Sequence, residues 1–589
     1  MKNPKSYYEK QLTNRTKQLK KKKNELTIIS ILRFVIFIKI IVLGYTLRNN
    51  SFLIPSVLIG ISLFIILILK YIKVKNKKNI LQEIISINSK EIEVLEGKFD
   101  SLKKGEKHIN PEHHYSYDID LFGEGSLFQR INRTSTKKGE QKLAKILNSN
   151  CIDNIVDKQK ALIELANKPE WRQLFTAVAK SENDKTHTEN ILNYKKNKEF
   201  FVPNYFKYLP NIFTSISGVL AICYACNLMP IGVIGLWFVI GMSITGVYFS
   251  KINELYKVAN NSGKDFNKIS VLLKQIEDVK FNSDILKNNA KKIKTENKKA
   301  SSLLKEFSRA IDAFDQRNNM LFGFFANGLL LWDLKQCFRI EKWIKNYSTQ
   351  SEKWFETIAF FDAQNSLANY VFNHPENTFP SINKNNTVIK AKNLGHPLLK
   401  KENRIDNNLT LDKNNFFIIT GANMAGKSTF LRTVSLNIIM ANVGLSVCSE
   451  KFEYSPIKLI TSMRTSDSLK DNESYFFSEL KRLKFIVDEI KNDNYFIILD
   501  EILKGTNSKD KAIGSKKFVE QLVGSKATGI IATHDLSLCS IESELEEVKN
   551  YYFDAEIKND ELYFDYVFKK GICKNMNASF LLKKMEIIT

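Results

Sequence analysis

A chain of 589 residues is too long for one compact domain, and 43% hydrophobic with 26% charged residues indicates folded domains plus an apolar part. Lys and Arg outnumber Asp and Glu by 88 to 63, a net charge of +25, which indicates a polyanionic partner such as nucleic acid or an anionic lipid surface, or the lysine bias of an AT-rich genome. Seven scattered cysteines exclude a disulfide framework and a zinc knuckle and favour a reducing compartment.

Residues 1–110 are predicted to form a basic N-terminus and a first transmembrane hairpin, with spans at about 26–47 and 52–72. The second span begins with a long charge-free run. The first span contains Arg33 and Lys39, each costing roughly 2.5 to 3.5 kcal/mol at a helix centre, so an interfacial helix is the alternative. Because Lys39 interrupts the apolar run and a second run follows at once, we predict an anchor and not a cleaved signal.

A helical core and lever domain is predicted for residues 115–385, interrupted by a second transmembrane hairpin at about 208–250. No charged residue occurs within that interruption, which is long enough for two spans. Elsewhere in the domain apolar residues recur at spacings of three and four, which predicts helices. We expect long exposed helices that act as levers and not a compact globule.

Lysines flank the first hairpin on one side of the predicted bilayer. They are Lys17, Lys20, Lys21, Lys22, Lys23, Lys70, Lys73, Lys75, Lys77 and Lys78. The connector between the two spans carries one charge, and the turn of the second hairpin carries none. The positive-inside rule then predicts a multi-pass protein of the cell (inner or plasma) membrane with both termini cytoplasmic.

Residues 386–589 change to short β-rich runs that alternate with helices. Three largely apolar runs lie at 415–419, 495–499 and 529–532, each bounded by Gly, Asp or Thr. Such runs are typical of a parallel sheet that is buried on both faces, so we predict an α/β domain.

A phosphate-binding loop is predicted at the end of the first of these strands. Residues 421–428 match G-x-x-x-x-G-K-S, follow a predicted strand and open a predicted helix. The loop amides and the helix N-terminus can hold phosphates, Lys427 can reach the β and γ phosphates of ATP, and the Ser428 hydroxyl can bind Mg²⁺. The pattern predicts a magnesium-dependent ATP site.

Acidic and imidazole side chains follow the other two apolar runs. Asp500 at the strand tip can orient the magnesium shell, and Glu501 can polarise the attacking water. The third run ends in Thr533 and His534, which places an imidazole where it can sense or stabilise the γ-phosphate. Their order and spacing predict one catalytic edge.

Residues 420–429, with Asn-Met inside the phosphate loop, resemble the MutS family. Residues 395–397 (Gly-His-Pro) resemble the start of that family's ATPase domain, 474–479 its S-T-F-M-x-E segment and 500–507 its D-E-x-x-x-G-T stretch. The resemblance extends loosely upstream to about residue 115. It implies an ABC-type, MutS-like P-loop ATPase domain at 386–589, preceded by an all-α core and lever domain.

The resemblance also implies roles for individual residues. ATP would be contacted by Gly421, Ala422, Asn423, Met424, Ala425, Gly426, Lys427, Ser428 and Thr429. Ser474 would reach the γ-phosphate held by the opposite subunit, which implies a homodimer. Tyr566 would be the adenine-stacking aromatic, or else a tyrosine on a half-buried strand. Catalysis would then rest on Glu501, Lys427, His534 and Ser474, and magnesium on Ser428 and Asp500.

Membrane spans stand where mismatch-reading members of the family have N-terminal domains. Phe122-Gly123-Glu124 spells a Phe-x-Glu wedge but lies directly against the lever start, so we interpret it as a turn and do not expect direct mismatch reading. The sequence therefore predicts a dimeric ATPase that opens and closes a clamp, with DNA as the expected ligand. The alternative is a membrane-partner-directed or transport-type ATPase without a nucleic-acid ligand. A non-enzymatic scaffold is disfavoured because the site residues are intact.

Overall fold

The computed structural model describes residues 3–47, 52–180, 200–260, 262–296, 298–383, 385–464, 475–504, 507–558 and 561–574. Within these ranges a helical N-terminal region is followed by mixed α/β sheets. The first strand begins at Ser381, a few residues before the predicted start of the α/β domain.

The helical region has these described helices in chain order: α1 (Pro4–Thr46), α2 (Leu53–Leu95), α3 (Leu127–Ile131), α4 (Lys137–Asn148), α5 (Ile155–Ala166), α6 (Pro169–Lys180), α7 (Leu209–Ala225), α8 (Ile231–Val247), α9 (Phe249–Ala259), α10 (Gly263–Glu277), α11 (Asp284–Lys291), α12 (Ala300–Asp315), α13 (Met320–Leu330) and α14 (Trp332–Asn373). Single 3-10 turns lie at Glu106–His108, Asn204–Lys207 and Gln316–Asn318.

Helices α1 and α2 form an antiparallel pair of 43 residues each, about 65 Å long at 1.5 Å per residue. Lys5 Nζ binds Glu96 Oε1 at 3.0 Å near one end, and Gly60 lies against Ile40 towards the other. Both helices are long and apolar enough to cross a membrane. The predicted spans are therefore the distal halves of two much longer helices.

The ends of this pair that contain Tyr8 and Glu91 are joined to the long helix α14 by buried polar contacts. Tyr8 donates to Asn373 Oδ1 at 2.7 Å, and the Asn373 amide donates to Glu91 at 2.8 Å. Glu91 also pairs with Arg133 at 2.5 Å, with both side chains largely buried. Burial alone would raise the pKa of Glu91, but the Arg133 charge and these hydrogen bonds hold it below its usual range.

Helices α10 and α12 pack on each other and on α14, and α14 also packs on α4 and α5. Side chains such as Leu273 and Phe307 are buried in one continuous core. The prediction of long exposed levers is therefore wrong for α10 and α12. Their polar residues occupy only one face, and the apolar stripe on the other face buries each helix against its neighbours.

The second apolar hairpin consists of α7 and α8, 17 residues each, with Asn227 in the left-handed region at the turn. Helix α8 continues after a bend of 66° into α9, and the bent pair is together long and apolar enough for a span. Helix α13, which the sequence reading did not single out, packs against both α7 and α8.

The described strands are β1 (Ser381–Ile382), β2 (Thr387–Leu394), β3 (Asn407–Asp412), β4 (Phe416–Gly421), β5 (Lys451–Tyr454), β6 (Lys458–Ser462), β7 (Tyr495–Asp500), β8 (Thr528–Ala532), β9 (Val548–Phe553), β10 (Glu556–Lys558), β11 (Glu561–Tyr563) and β12 (Lys569–Lys570). They form sheets in the orders β1-β5-β2-β3, β10-β11 and β12-β9-β4-β8-β7-β6. Strands β9, β4, β8, β7 and β6 run parallel, which confirms the predicted parallel sheet.

Helices α15 (Lys427–Asn442), α16 (Tyr475–Glu489), α17 (Ser508–Gly524) and α18 (Ile541–Glu544) accompany these strands, with 3-10 turns at Lys401–Asn403 and Leu536–Ser540. Alternate residues of β4 point to opposite layers. Phe417 and Ile419 join the core that contains α15, whereas Phe416 and Ile418 join the core of α16 and α17. The large sheet is thus buried on both faces.

The edge strand β6 is covered by a strap from the helical domain, residues 113–118. The Thr461 amide donates to the His114 carbonyl at 2.9 Å, and Asp118 accepts from the Thr461 hydroxyl at 2.6 Å. The Asn150 side chain bonds both backbone groups of Leu459 at 2.9 Å. These contacts provide hydrogen-bond partners for backbone groups of the edge strand β6, and they fix the helical domain to the α/β domain.

Candidate active site

The predicted site residues meet at one edge of the large sheet. In the parallel register Ala532 of β8 lies beside both Ile419 of β4 and Asp500 of β7. The carboxyl ends of the three strands therefore end at the same level, and the residues that follow them come together. This is the usual location of ligand sites in open parallel sheets.

Two glycines permit the tight loop between β4 and α15. Gly421 and Gly426 have φ of 148° and 101°. A Cβ on Gly421 would lie 2.6 Å from the Phe553 carbonyl oxygen, and one on Gly426 would lie 3.0 Å from the Tyr566 ring. Helix α15 begins directly at Lys427, so its unpaired N–H groups and positive dipole end open into the loop.

Lys427 is held inside this loop. Its Nζ donates to the carbonyls of Gly421 at 2.8 Å and Ala422 at 3.1 Å, and it lies 3.1 Å from His534 Nε2. Burial lowers the pKa of the Lys427 amine, against the opposing charges of Glu501 and Asp500. The ammonium is thus placed at the centre of the loop, where it can reach a bound phosphate.

Ser428 and Asp500 form the oxygen pair proposed for magnesium. The Ser428 hydroxyl donates to Asp500 Oδ2 at 2.6 Å, and burial raises the pKa of the Asp500 carboxyl above its usual range. Among the described residues no group of three or more His, Cys, Asp or Glu side chains is arranged to hold a metal ion. A hydroxyl with one carboxylate fits Mg²⁺, which keeps several waters and takes few protein ligands.

Glu501 is oriented by His534. The two side chains approach to 2.9 Å between Oε1 and Nε2. The His534 hydrogen bond, helped by the Lys504 charge, lowers the pKa of Glu501 to about 2. Glu501 also has a left-handed backbone, φ 50°, which turns the chain sharply at the end of β7. The carboxylate is therefore ionised and held at the sheet edge.

Glu479 is a site residue to which the sequence assigned no role. Its buried carboxylate, on α16, accepts from the backbone amides of Leu503 at 2.6 Å and Lys504 at 3.1 Å. Leu503 has φ of 60°, so Glu479 clamps a loop that contains two left-handed residues. Its presence in the 474–479 segment was the available signal, but its partner could not be read from the sequence.

A cavity of about 440 Å³ opens beside the loop. Of the predicted residues, Ala422, Asn423, Met424, Gly426, Lys427, Ser428, Thr429, Glu501 and Tyr566 line it. The opposite wall comes from β2 and the residues after it, with Leu394, His396, Leu399, Asn403, Arg404, Ile405 and Asn407. Of these wall residues only His396 belongs to a segment that resembles the family, and no sequence pattern indicated the others.

Tyr566 lies against the phosphate loop. Its ring is in contact with Gly426, and its backbone is left-handed, with φ of 53°. The Asn407 side chain fixes this turn by donating to the Tyr566 carbonyl at 3.0 Å and accepting from the Phe568 amide at 2.8 Å. The side chain is 44% exposed, so its ring is available to a planar ligand.

Not every predicted residue faces the cavity. Ala425 is completely buried and belongs to the core beneath the loop. Ser474 lies outside the described residues. Phe122 is buried against His108 and Phe128, and Gly123 has φ of 104°, so the Phe-x-Glu segment is a turn whose ring is unavailable as a wedge.

The chain is similar to known proteins of one family. The family described as MutS domain V matches residues 417–586, a range that contains every predicted catalytic residue. The chain is 34% identical to human MutS protein homolog 4 over 203 residues, 33% of this chain and 21% of that protein. It is 35% identical over 182 residues to the DNA mismatch repair protein MutS of Fusobacterium nucleatum, 29% of this chain and 20% of that protein.

A third relative is the DNA mismatch repair protein MutS of Staphylococcus haemolyticus, 30% identical over 243 residues, 40% of this chain and 27% of that protein. The chain thus spans roughly a fifth to a quarter of the length of these curated relatives. The family match lies in the C-terminal part of the chain.

Proposed function

The chain belongs to the MutS family through its C-terminal domain, and on this premise we propose that it is a membrane-attached, magnesium-dependent ATPase. It binds and hydrolyses ATP as a homodimer and uses the cycle to open and close a clamp on DNA. One observation carries the proposal: Lys427, Ser428, Asp500, Glu501 and His534 meet within hydrogen-bonding distance at one sheet edge.

The nucleotide would lie in the cavity beside the loop. The loop amides and Lys427 would hold the phosphates, and the exposed Tyr566 ring would stack on the adenine. Mg²⁺, held by Ser428 and Asp500, would neutralise phosphate charge when bound. Both positions require glycine, because a Cβ on Gly421 would collide with the Phe553 carbonyl and one on Gly426 would press on the Tyr566 ring.

Hydrolysis requires a water held in line with the terminal phosphate. Glu501, kept ionised by His534, accepts a hydrogen bond from that water and polarises it. Glu479 keeps the Glu501 loop in place. Lys427 stabilises negative charge that develops on the phosphate oxygens.

The surroundings of the cavity support a dimer. Met424 at the loop is 75% exposed, and Phe477 and Leu480 on the first turns of α16 are also exposed. Exposed apolar side chains around a polar site are typical of a surface that another subunit covers. By the family resemblance, Ser474, just before α16, would then act on the partner's nucleotide.

A basic cavity supports a polyanionic ligand. It has a volume of about 310 Å³ between α4, α11 and α14, and Lys138, Lys142, Lys145 and Lys292 line it with one acidic residue, Glu356. With the net charge of +25, such a groove favours the phosphate backbone of DNA without selecting a sequence.

The first helix pair supports membrane attachment. Its distal halves expose apolar side chains over many turns, among them Phe34, Ile38, Ile59 and Ile66. Lys22 lowers the pKa of Glu25 by a hydrogen bond, and the charges of Lys70 and Lys77 on α2 act in the same direction. The two lysine clusters therefore lie at one level, where anionic headgroups would meet them.

A membrane-partner-directed ATPase without a nucleic-acid ligand is the second candidate. It is favoured by the buried junction of Tyr8, Glu91 and Arg133 with Asn373, which joins the apolar helix pair to the lever helix. Movement of α14 would be transmitted to the membrane helices through these contacts.

ATP hydrolysis by the purified full chain in detergent separates these functions. Turnover is measured without DNA and with duplex, mismatched or branched DNA. Glu501→Gln should abolish turnover, and Glu546→Gln, an exposed acid away from the site, should not. A DNA effect supports the clamp. Glu501-dependent hydrolysis that every DNA leaves unchanged supports the membrane-directed ATPase, and hydrolysis unaffected by Glu501→Gln contradicts both.

A further inference from the structure

Helix α13 is a third apolar element beside the second hairpin. The chain carries no charged residue from Asn318 to Trp332, and the helix packs on α7 and α8. The segment escaped the sequence reading because 15 residues are too few for a span.

The packing of α13 on α8 brings two backbones into contact. A Cβ on Gly241 would lie 2.2 Å from the Gly328 carbonyl oxygen, and one on Gly328 would lie 2.1 Å from the Phe238 ring. Inside a bilayer, burial of apolar side chains does not favour helix association, because the lipid is equally apolar. Helices associate there through small residues that let their backbones approach closely.

One backbone group near each end of α13 has a side-chain partner. The Ser217 hydroxyl donates to the Leu329 carbonyl at 2.6 Å, and the Trp237 indole donates to Ser217 at 2.9 Å. At the other end the Asn319 side chain accepts from the Phe322 amide at 3.1 Å. Such bonds are needed where water cannot hydrate a helix end.

The outward face of α13 is apolar. Met320 and Leu321 are 88% and 72% exposed, and Phe324 and Phe325 are about half exposed. This face continues the exposed apolar surface of α7 and α8, which includes Ile212, Val219, Ile222, Leu236 and Val239. A contiguous apolar surface of this kind calls for a nonaqueous neighbour.

The residues that come directly before and after α13 lie close together. Arg317 before α13 and Asp333 after it form an ion pair at 3.1 Å, with both side chains largely buried. Eleven helical residues span about 16 Å, roughly half of a hydrocarbon core of about 30 Å. A short excursion that returns to its starting level has the geometry of a re-entrant helix.

We propose that residues 318–332 form a re-entrant helix that inserts into the cytoplasmic leaflet beside α7 and α8. The proposal rests on the membrane attachment proposed above. It adds a direct connection between the lipid bilayer and helix α14. Helix α14 starts immediately after α13 and runs without a break for 42 residues, about 63 Å, to the junction with Tyr8 and Glu91. Helix α14 therefore connects the inserted helix α13 at its N-terminal end with the helix pair α1 and α2 at its C-terminal end.

Spin labels test this placement in the full chain. Cys151, Cys223 and Cys226, the cysteines that are not buried, are replaced by serine. Single cysteines are then placed at Leu321 or Phe325, at Ile222 or Leu236 as hairpin references, and at Ile513 as a matched exposed apolar position on α17. The protein is reconstituted in vesicles of phosphatidylethanolamine and phosphatidylglycerol. Collision rates with oxygen and with a water-soluble nickel chelate are then compared.

Labels at Leu321 and Phe325 should show an oxygen-to-nickel ratio several-fold above that at Ile513. Nickel access at these two positions with oxygen access at Ile222 and Leu236 would overturn the re-entrant helix and leave the membrane attachment intact. Nickel access at all four positions would overturn both. Access to neither reagent at Leu321 and Phe325 would instead indicate cover by protein, such as a second copy, and also contradicts the proposal.

A second measurement avoids cysteine variants. Phe325→Trp, an exchange of one exposed aromatic residue for another, is compared with the unsubstituted chain in vesicles whose acyl chains are brominated. The added indole should raise the quenched fraction of the tryptophan fluorescence, and an added signal that bromine does not quench would contradict insertion.

Discussion

His534 Nε2 lies 2.9 Å from Glu501 Oε1, and this contact is the largest cause of the lowered pKa of the Glu501 carboxyl. The two residues end neighbouring strands and are 33 positions apart in the chain. The contact joins the end of β7 to the end of β8, so a shift between these strands that breaks it would raise the pKa of Glu501.

His534→Ala should raise the pKa of Glu501 from about 2 towards its ordinary value of 4.5, because the largest cause of the lowered pKa is lost. The acid limb of the kcat profile should move to higher pH by up to the same difference. Turnover is measured from neutrality downwards, with Glu501→Gln as the variant that has no such limb. An unchanged acid limb in His534→Ala would show that this contact does not tune Glu501.

Glu479→Ala should destabilise the chain and lower kcat more than it changes KM. It leaves the amides of Leu503 and Lys504 without an acceptor, a loss of roughly 1 to 3 kcal/mol for each buried group. Glu479→Gln keeps one acceptor oxygen and should recover part of both. Urea unfolding and steady-state turnover report the two effects, and normal turnover by Glu479→Ala would refute a positioning role.

Tyr566→Ala should weaken ATP binding by about 1 to 3 kcal/mol, roughly 5-fold to 150-fold in Kd, if the ring stacks on the base. Tyr566→Phe keeps the ring and should bind normally. Tyr563→Ala, an exposed tyrosine that does not line the cavity, is the control. Equilibrium binding of a fluorescent ATP analogue measures all three, and equal Kd values for the Ala and Phe variants would disprove stacking.

His113 should make stability fall as pH decreases from 6.5 to 4. Its Nδ1 accepts from the amides of Tyr115 and Ser116 at 3.3 and 3.2 Å, so the neutral ring donates from Nε2 to the Asn148 carbonyl. Burial lowers the pKa of His113 to about 4. The neutral ring's contribution is present above the ordinary value of 6.5 and is lost as pH falls through 4.

His113→Asn supplies a non-titrating acceptor for the same amides. The difference in unfolding free energy between the chain and this variant should change by of the order of 2 kcal/mol across that pH window, after allowance for partial exposure. Urea titrations at a series of pH values measure it. A difference that stays constant with pH would contradict the neutral tautomer.

Lys142→Glu with Lys145→Glu should weaken DNA binding and flatten its salt dependence, because both side chains line the basic cavity. The slope of log K against log salt should decrease by about one for each lost phosphate contact. Lys264→Glu with Lys274→Glu, at two exposed positions of α10, is the charge-matched control. Equal loss in the control would point to net charge and not to this cavity.

The local parts of the molecule were predictable from the sequence. The phosphate loop, with its two glycines and Lys427, is a run of consecutive residues whose geometry the chain imposes on itself. The apolar strands and long apolar runs were equally readable, because burial on both faces or in lipid leaves an unbroken hydrophobic pattern. The adjacency of Asp500 and His534 to the loop also followed, since parallel strands end at one edge.

Tertiary structure alone decided which distant groups meet. Glu479 contacts the loop that contains Glu501, Arg404 lines the cavity, and residues 113–118 cover β6. Each of these contacts forms only when the helices and the sheet have packed together. A buried polar contact has no sequence period, because it depends on the separation of two backbones and not on the spacing of residues along one. The sequence by itself therefore determined the chemistry that the chain carries, and packing determined how that chemistry is oriented and joined to the lever.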